Sequence, residues 1–170
     1  FLKDSMGTRI FPEGLHIIDD PHRKRGHRSK PFDAEGLPNK AMHLIEDGVL
    51  ENWVLDLSTA RKLGLDSNGR ASRGTSSPPS PSTTNLYLMP GKVSPADLIV
   101  DITEGFYVTE LMGFGVNNIT GDYSRGATGF WIESGVIAYP VSEVTIASNL
   151  KDMFLSMTVA DDLRFKYGRD

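Results

Sequence analysis

Two hydrophobic runs meet at Asp47-Gly48, with Ala-Met-His-Leu-Ile-Glu before it and Val-Leu-Glu-Asn-Trp-Val-Leu after it. This short connection limits the possible folds more than any other feature of the chain. Both central positions of a type I′ turn need positive φ, and Asp-Gly accepts that at little cost. The reading is a β-hairpin over residues 41–56. A second dipeptide of this kind, Ser134-Gly135, lies inside the glycine-rich stretch from Gly113 to Tyr139. There Tyr123 to Glu133 reads as a strand, and Val136 to Tyr139 returns from the turn. Leu44 to Leu50 and Trp131 to Ile137 share the pattern apolar, Ile, Glu, any residue, Gly, Val, apolar. Independent hairpins with the same turn chemistry would give this echo, and so would a duplicated substructure.

Short apolar runs punctuated by 17 Gly and 10 Pro favour sheet over helix in a chain of 170 residues. The predicted fold class is α+β and β-rich, a mainly antiparallel sheet built from hairpins with two or three short helices. Residues 8–20 read as two short strands broken by Pro12 and Gly14. Further strands are expected at Asn85 to Met89, Phe106 to Met112 and Leu163 to Tyr167, and Pro140 to Ala147 is expected to continue the return strand as an edge or to form the next strand. Helices are expected at 58–64, with Ser58 as N-cap and Gly64 as the stop, and at 94–103, with Ser94 capping and Pro95 in the first turn. Asn149 caps a third, to Met157. Between Ser67 and Thr84 the only apolar side chain is Ala71, so residues 67–84 are expected to be a long exposed Ser/Pro-rich loop, either a linker or a binding loop.

Charge excludes some functions. With 18 Lys and Arg against 22 Asp and Glu, the net charge of −4 does not give the broad positive footprint of a nucleic-acid-binding domain. One local exception runs from His22 to Lys30, which holds Arg23, Lys24, Arg25, Arg28 and Lys30. It reads as a solvated loop or as a contact for an anion or a partner subunit. The chain has no cysteine, hence no disulfide and no thiolate zinc site. No apolar run reaches the roughly 18 residues of a membrane span, and a cytoplasmic location is the default expectation.

The stretch Gly113 to Tyr139 invites a catalytic reading that its residues do not support. Gly113-Phe114-Gly115 begins like a dinucleotide fingerprint, but Asn118 stands where the third glycine is needed. Asp122-Tyr123-Ser124-Arg125-Gly126 misses the first glycine of a nucleophile elbow, and all four histidines, His16, His22, His27 and His43, precede it. Asp19, Asp20 and His22 are close in sequence, but they straddle Pro21 and lack a second histidine at ligand spacing, so they read as a polar turn. No catalytic or metal-ligating residue is assigned. Asp122 and Ser124 can instead bond to backbone groups, Arg125 can grip a carboxylate, and the glycines allow a close approach. Together with Asn85, Asn117 and Thr120, these three residues are the candidates for an interface or a peptide-binding wall.

Several multi-residue motifs in order give the chain a family likeness. Asp19-Asp20-Pro21, Asp47-Gly48-Val49-Leu50, Ser77-Pro78-Pro79-Ser80-Pro81-Ser82 and Tyr107-Val108-Thr109-Glu110-Leu111 come first. Thr120 to Ala127, Gly129 to Glu133, Ala138-Tyr139-Pro140-Val141 and Asn149 to Met153 follow. The chain closely resembles the C-terminal part of the PmbA (TldE) branch of the PmbA/TldD family, a family named for modulation of DNA gyrase and associated with cytoplasmic proteolysis and peptide maturation. The resemblance implies a single C-terminal domain over residues 1–170, from a longer two-domain protein. It implies a subunit without a metal centre, partnered by a TldD-type metalloprotease subunit or by its own copy, that handles a peptide substrate; from the charge and the apolar run lengths, neither nucleic acid nor membrane is expected as a partner. Zinc would sit only in the TldD-type partner, whose branch carries His-Glu-x-x-x-His and a later cysteine, and neither motif occurs here. A metallopeptidase in its own right and a nucleic-acid-associated gyrase modulator are the alternatives.

Overall fold

The computed structural model describes residues 2–164, which group into two compact units. One comprises residues 4–9 and 13–89, and the other residues 2–3, 10–12 and 90–164. Antiparallel strands dominate both, with three short helices, so the chain is a β-rich α+β protein. Among the described residues no helix is long and apolar enough to cross a membrane.

The first unit contains β1 (Ile17–Asp19), β2 (Met42–Glu46), β3 (Val49–Leu50), α1 (Leu57–Leu63), β4 (Ala71–Ser72), β5 (Ser80–Pro81) and β6 (Leu86–Leu88). Four strands form a sheet in the order β3-β2-β1-β6, antiparallel throughout. The hairpin expected at Asp47-Gly48 is present, with φ of 49° and 78° at the two residues as a type I′ turn requires. Its turn is pinned from outside. Arg9 donates to the Asp47 carbonyl at 2.6 Å, and the Gly14 amide donates to the Asp47 carboxylate at 2.6 Å. Bonds from the Gly14 amide, first, and the Arg9 side chain hold the Asp47 carboxyl below its ordinary range. Only one of the two strands expected in 8–20 forms. The earlier segment makes a single bridge, Arg9 to Val49, because Pro12 lacks a donor and Gly14 turns the chain at φ 79°.

Helix α1 is capped two residues earlier than its hydroxyls indicate, since Asp56 rather than Ser58 is the N-cap. The Asp56 carboxylate accepts from the Thr59 amide at 2.7 Å, and the Asp56 amide donates to the Thr59 hydroxyl at 3.1 Å, so two orphan donors are satisfied reciprocally. Gly64 stops the helix in the left-handed region, as expected.

Residues 67–84 depart most from expectation. Arg73 to Pro78 are exposed, but Gly69, Arg70, Ala71 and Thr84 are buried, and β4 pairs with β5. The cause is one side chain. Arg70 is 0% exposed and forms an ion pair through Nε with Asp19, which is also 0% exposed. Its other nitrogens donate to the carbonyls of Lys40 at 2.6 Å, Asn68 at 3.1 Å and Asp19 at 3.2 Å. The second Asp19 oxygen accepts from the Thr84 amide at 2.7 Å and the Thr84 hydroxyl at 2.9 Å. Asp33, also buried, accepts from the Ala71 amide at 3.0 Å. A segment with almost no apolar side chains is thus ordered by hydrogen bonds to charge, around an apolar core of Leu15, Ile45, Leu50, Leu55 and Ala60.

The second unit holds α2 (Pro95–Val100), β7 (Glu104–Met112), β8 (Asp122–Glu133), β9 (Val136–Asn149) and α3 (Leu150–Leu155). Ser94 and Asn149 cap α2 and α3 as expected, although both helices end earlier than their apolar spacing indicates. The three strands form an antiparallel meander, β7-β8-β9. Ser134 and Gly135, at φ 48° and 76°, close its second hairpin with the same turn conformation as Asp47-Gly48. Of the two expected outcomes for Pro140 to Ala147, continuation as an edge is the one that forms: β9 runs unbroken for 14 residues through Pro140. As the outer strand, β9 has one side without a ladder, and there a missing N–H costs nothing. Phe11 stacks on Phe154 with ring centroids 4.7 Å apart, and Ala127 and Ile132 are buried within the sheet. The strand expected at Leu163 to Tyr167 does not include residues 163 and 164, and 165–167 lie outside the described residues.

Removing one member of a buried ion pair leaves the other charge uncompensated. Arg70→Ala is expected to lower the unfolding free energy of the chain by about 3–5 kcal/mol, and the double change Asp19→Leu with Arg70→Met by clearly less, both read from urea denaturation midpoints.

Candidate functional site

The loop between β7 and β8 is held to the sheet by its own backbone. The Ser124 amide donates to the Gly115 carbonyl at 2.7 Å, and the Asn117 amide to the Asp122 carbonyl at 2.9 Å. A Cβ on Gly115 would overlap the Ser124 carbonyl, so no other residue allows this approach. At the loop tip the Asn117 side chain accepts from the amides of Ile119 at 2.9 Å and Thr120 at 3.3 Å, the Asx geometry that replaces a backbone turn. The Thr120 hydroxyl donates to the Asp122 carboxylate at 2.6 Å. From the end of β9, the Asn149 side chain donates to the other Asp122 oxygen at 3.2 Å and to the Thr120 carbonyl at 3.1 Å. The Asp122 carboxyl therefore lies below its ordinary range, chiefly through the Thr120 hydroxyl and next through Asn149, against a smaller opposing effect of burial.

Asn117, Thr120 and Asp122 thus lie together, with their polar atoms turned into the loop. Ser124 follows on β8 and is exposed. Arg125 donates to the Leu111 carbonyl at 3.1 Å across the strand pair, and its buried Nε has no acceptor. It contacts no carboxylate among the described residues. Asn85 belongs to the other unit. Its side chain donates to the Asp20 carbonyl at 2.7 Å and the Ser29 hydroxyl at 2.9 Å, and accepts from the Arg28 amide at 3.0 Å, fixing the basic segment 22–30 in place.

What the loop presents outward is apolar. Phe114 is fully exposed, Ile119 is 84% exposed and Val116 46%. Tyr107, Phe130 and Pro140 stand directly opposite one another across the three strands, which puts them on one face, and all are exposed. Exposed apolar side chains grouped in this way mark a surface suited to being covered, by another molecule or by another part of the same protein. The glycines and polar residues mark this loop in the sequence. The residues that reach outward, Phe114, Val116 and Ile119, have no chemical motif, and only their spacing outside any buried pattern could have singled them out.

A second feature has no signature in the sequence. In the first unit a cleft of about 640 Å³ is lined by Lys40, His43, Glu46, Glu51, Asn52 and Asp66 among others. Its walls at Lys40 and Asn68 are the two whose carbonyls Arg70 grips. Neither this cleft nor the early acidic turn is built for a metal. Asp19 is spent on Arg70 and Thr84, Asp20 accepts from the His22 amide at 2.9 Å, and the His22 ring is bonded to Asn39 at 2.8 Å. Among the described residues no three His, Asp or Glu side chains converge as a metal site.

Residues 1–169 match the family model described as the PmbA/TldA metallopeptidase C-terminal domain. The "Metalloprotease PmbA" of Escherichia coli O157:H7 is 46% identical over 164 residues, which is 96% of this chain and 34% of that protein. A "Metalloprotease TldD homolog" of Buchnera aphidicola is 32% identical over 166 residues, 96% of this chain and 34% of the relative. Among solved structures, TldE from Thermococcus kodakarensis superposes with a TM-score of 0.82 at 27% identity, covering 93% of this chain and 36% of that one. The chain spans about a third of the length of these relatives.

A depressed carboxyl contributes stability above the range of a free Asp, and that contribution is lost as pH falls through its lowered value. NMR titration of Asp122 is therefore expected to give a midpoint below about 3.9, with the amides of Asn117 to Tyr123 shifting in the same acidic window. Thr120→Ala should move that midpoint upward.

Proposed function

Because the chain belongs to the PmbA/TldD metallopeptidase family, we propose that it is the C-terminal domain of a non-catalytic subunit of a two-component metalloprotease, forming with its partner a chamber for peptide substrates. The observation that carries this reading is the hydrogen-bonded loop Gly113 to Gly121, which leaves Phe114 and Ile119 almost wholly, and Val116 about half, in water. Fixing three apolar side chains in solvent is unfavourable unless another surface removes them from water. A strip prearranged by the Asn117, Thr120 and Asp122 bonds would lose little further freedom on docking.

Chemistry supports the non-catalytic role. The described residues do not fit a zinc centre, so no bond-breaking step is assigned to them. The greater identity to the PmbA-named relative than to the TldD-named one, 46% against 32%, favours the PmbA branch. The chain's share of the work would be to bind, orient and enclose. A TldD-type subunit would supply the metal, and cytoplasmic peptide maturation or degradation is the setting in which such an assembly would act.

One observation favours a second reading: the 46% identical relative is itself named a metalloprotease. Elemental analysis separates the two. Zinc confined to the TldD-type chain of a copurified complex is expected, whereas tight stoichiometric zinc in the full-length protein by itself would support the second reading and overturn the first.

Truncating an aromatic anchor at an interface costs about 2 kcal/mol or more. Phe114→Ser with Ile119→Ser is expected to weaken association with the partner at least about 30-fold in an equilibrium binding assay, and Arg125→Ala to weaken it or peptide access less, each with an unchanged far-UV spectrum. Association and proteolysis unaltered in both variants would count against the loop as the contact.

A further inference from the structure

The basic segment and the Ser/Pro-rich segment, separate in the chain, come together in the first unit. They line a cleft of about 320 Å³ formed by Arg28, Ser29, Lys30, Ser72, Ser82 and Thr83. In a chain of net charge −4, this cleft has two cations, four hydroxyls and no carboxylate in its lining. We infer that it is a binding site for a carboxylate group carried by a peptide.

The donors decide the class of ligand. Ser29 donates its hydroxyl to the Arg23 carbonyl at 2.6 Å and Ser82 to the Thr83 carbonyl at 3.3 Å, so these two shape the walls. Lys30 spends one proton on the Ala71 carbonyl at 2.9 Å, which fixes the ammonium at the cleft with two protons left. Arg28 is exposed and its guanidinium makes no ion pair among the described residues, while its backbone is locked by Asn85 at 3.0 Å. A rigid backbone thus carries a planar fork with its donors unspent, beside a fixed ammonium and the hydroxyls of Ser72 and Thr83.

Phosphate sites ordinarily rely on converging backbone N–H groups. Here the amides of Arg28, Ser29, Lys30 and Ser82 are all consumed, by Asn85, Gly26, Pro21 and Arg70 respectively. At these four residues only side chains remain to meet the ligand. A guanidinium fork matches a planar carboxylate with two parallel bonds, and the neighbouring ammonium adds charge without demanding a direction. The choice of a peptide as carrier rests on the peptide-handling reading above. The cleft would hold the chain terminus or an acidic side chain of that peptide.

The test needs neither a partner subunit nor proteolysis, so it can fail while the assembly reading stands, and the reverse. Full-length protein is titrated into a dye-labelled, N-acylated pentapeptide bearing one carboxylate, and into its C-terminal amide, with fluorescence anisotropy as the readout. Binding of the free acid that falls with added salt, weakens about tenfold or more in Arg28→Glu, and is weakened similarly by amidation is expected. Since Arg28 is exposed, the variant should keep the wild-type unfolding midpoint. Lys30→Gln with a matched unfolding midpoint provides the second variant. Equal binding of acid and amide, or indifference to Arg28→Glu and Lys30→Gln, overturns the assignment. Inorganic phosphate that binds at the site more tightly than the free-acid peptide also overturns it.

Discussion

The arrangement of the first unit depends on the buried ion pair between Arg70 and Asp19. Neither charge could be taken from water alone, since an unpaired ion in a protein interior costs several kcal/mol. Each is therefore bonded by every neighbour that can help. The guanidinium takes the carbonyls of Asp19, Lys40 and Asn68, and the carboxylate takes the amide and hydroxyl of Thr84. Four chain segments that share little apolar surface are thereby brought to one point. The ends of residues 67–84 are fixed there, which leaves only the middle of that segment in solvent. Both clefts of this unit owe their walls to that arrangement, because Lys40, Asn68, Ser72, Ser82 and Thr83 lie on, or directly beside, the segments it ties.

The second unit is organised differently. Its long meander has few buried side chains and a wide exposed apolar face, so its stability rests on ladder hydrogen bonds and turn chemistry rather than on a deep core. The β7–β8 loop inverts the usual division of labour between residue types. Its polar side chains, though exposed, bond back to the loop itself in place of backbone turns, and its apolar side chains face water. That inversion gives a loop stiff enough to serve as a template for another surface, and it is why the partner contact is proposed there rather than at the charged positions.

Charge in this chain works locally. A net value of −4 conceals a cleft lined by three carboxylates and another lined by two cations, both in the same unit. The Debye length at physiological salt is about 8 Å, so a ligand within a cleft responds to the charges that line it far more than to the total. Net charge still has force against a broad nucleic-acid surface, which needs many like charges spread along one face.

Local rules determined a large part of this protein from its sequence. Both type I′ turns, the α2 and α3 caps, the left-handed stop at Gly64 and the β-rich antiparallel character follow from steric and hydrogen-bonding preferences that act within a few residues. The motif order was enough to identify the family. The tertiary structure decided whatever depends on partners distant in sequence. Arg70 reads as one more polar residue in a Ser/Pro-rich run until Asp19, 51 positions away, comes within bonding distance. Asp56 outranks Ser58 as a cap because Thr59 reciprocates, and Pro140 is tolerated mid-strand because β9 lies at an edge. Of the candidate site residues, five cluster around one loop, whereas Asn85 lies in the other unit, where it braces the basic segment. Sequence spacing carries no sign of that separation, since the bonds that place Asn85 run to Asp20, Arg28 and Ser29, more than fifty positions earlier in the chain.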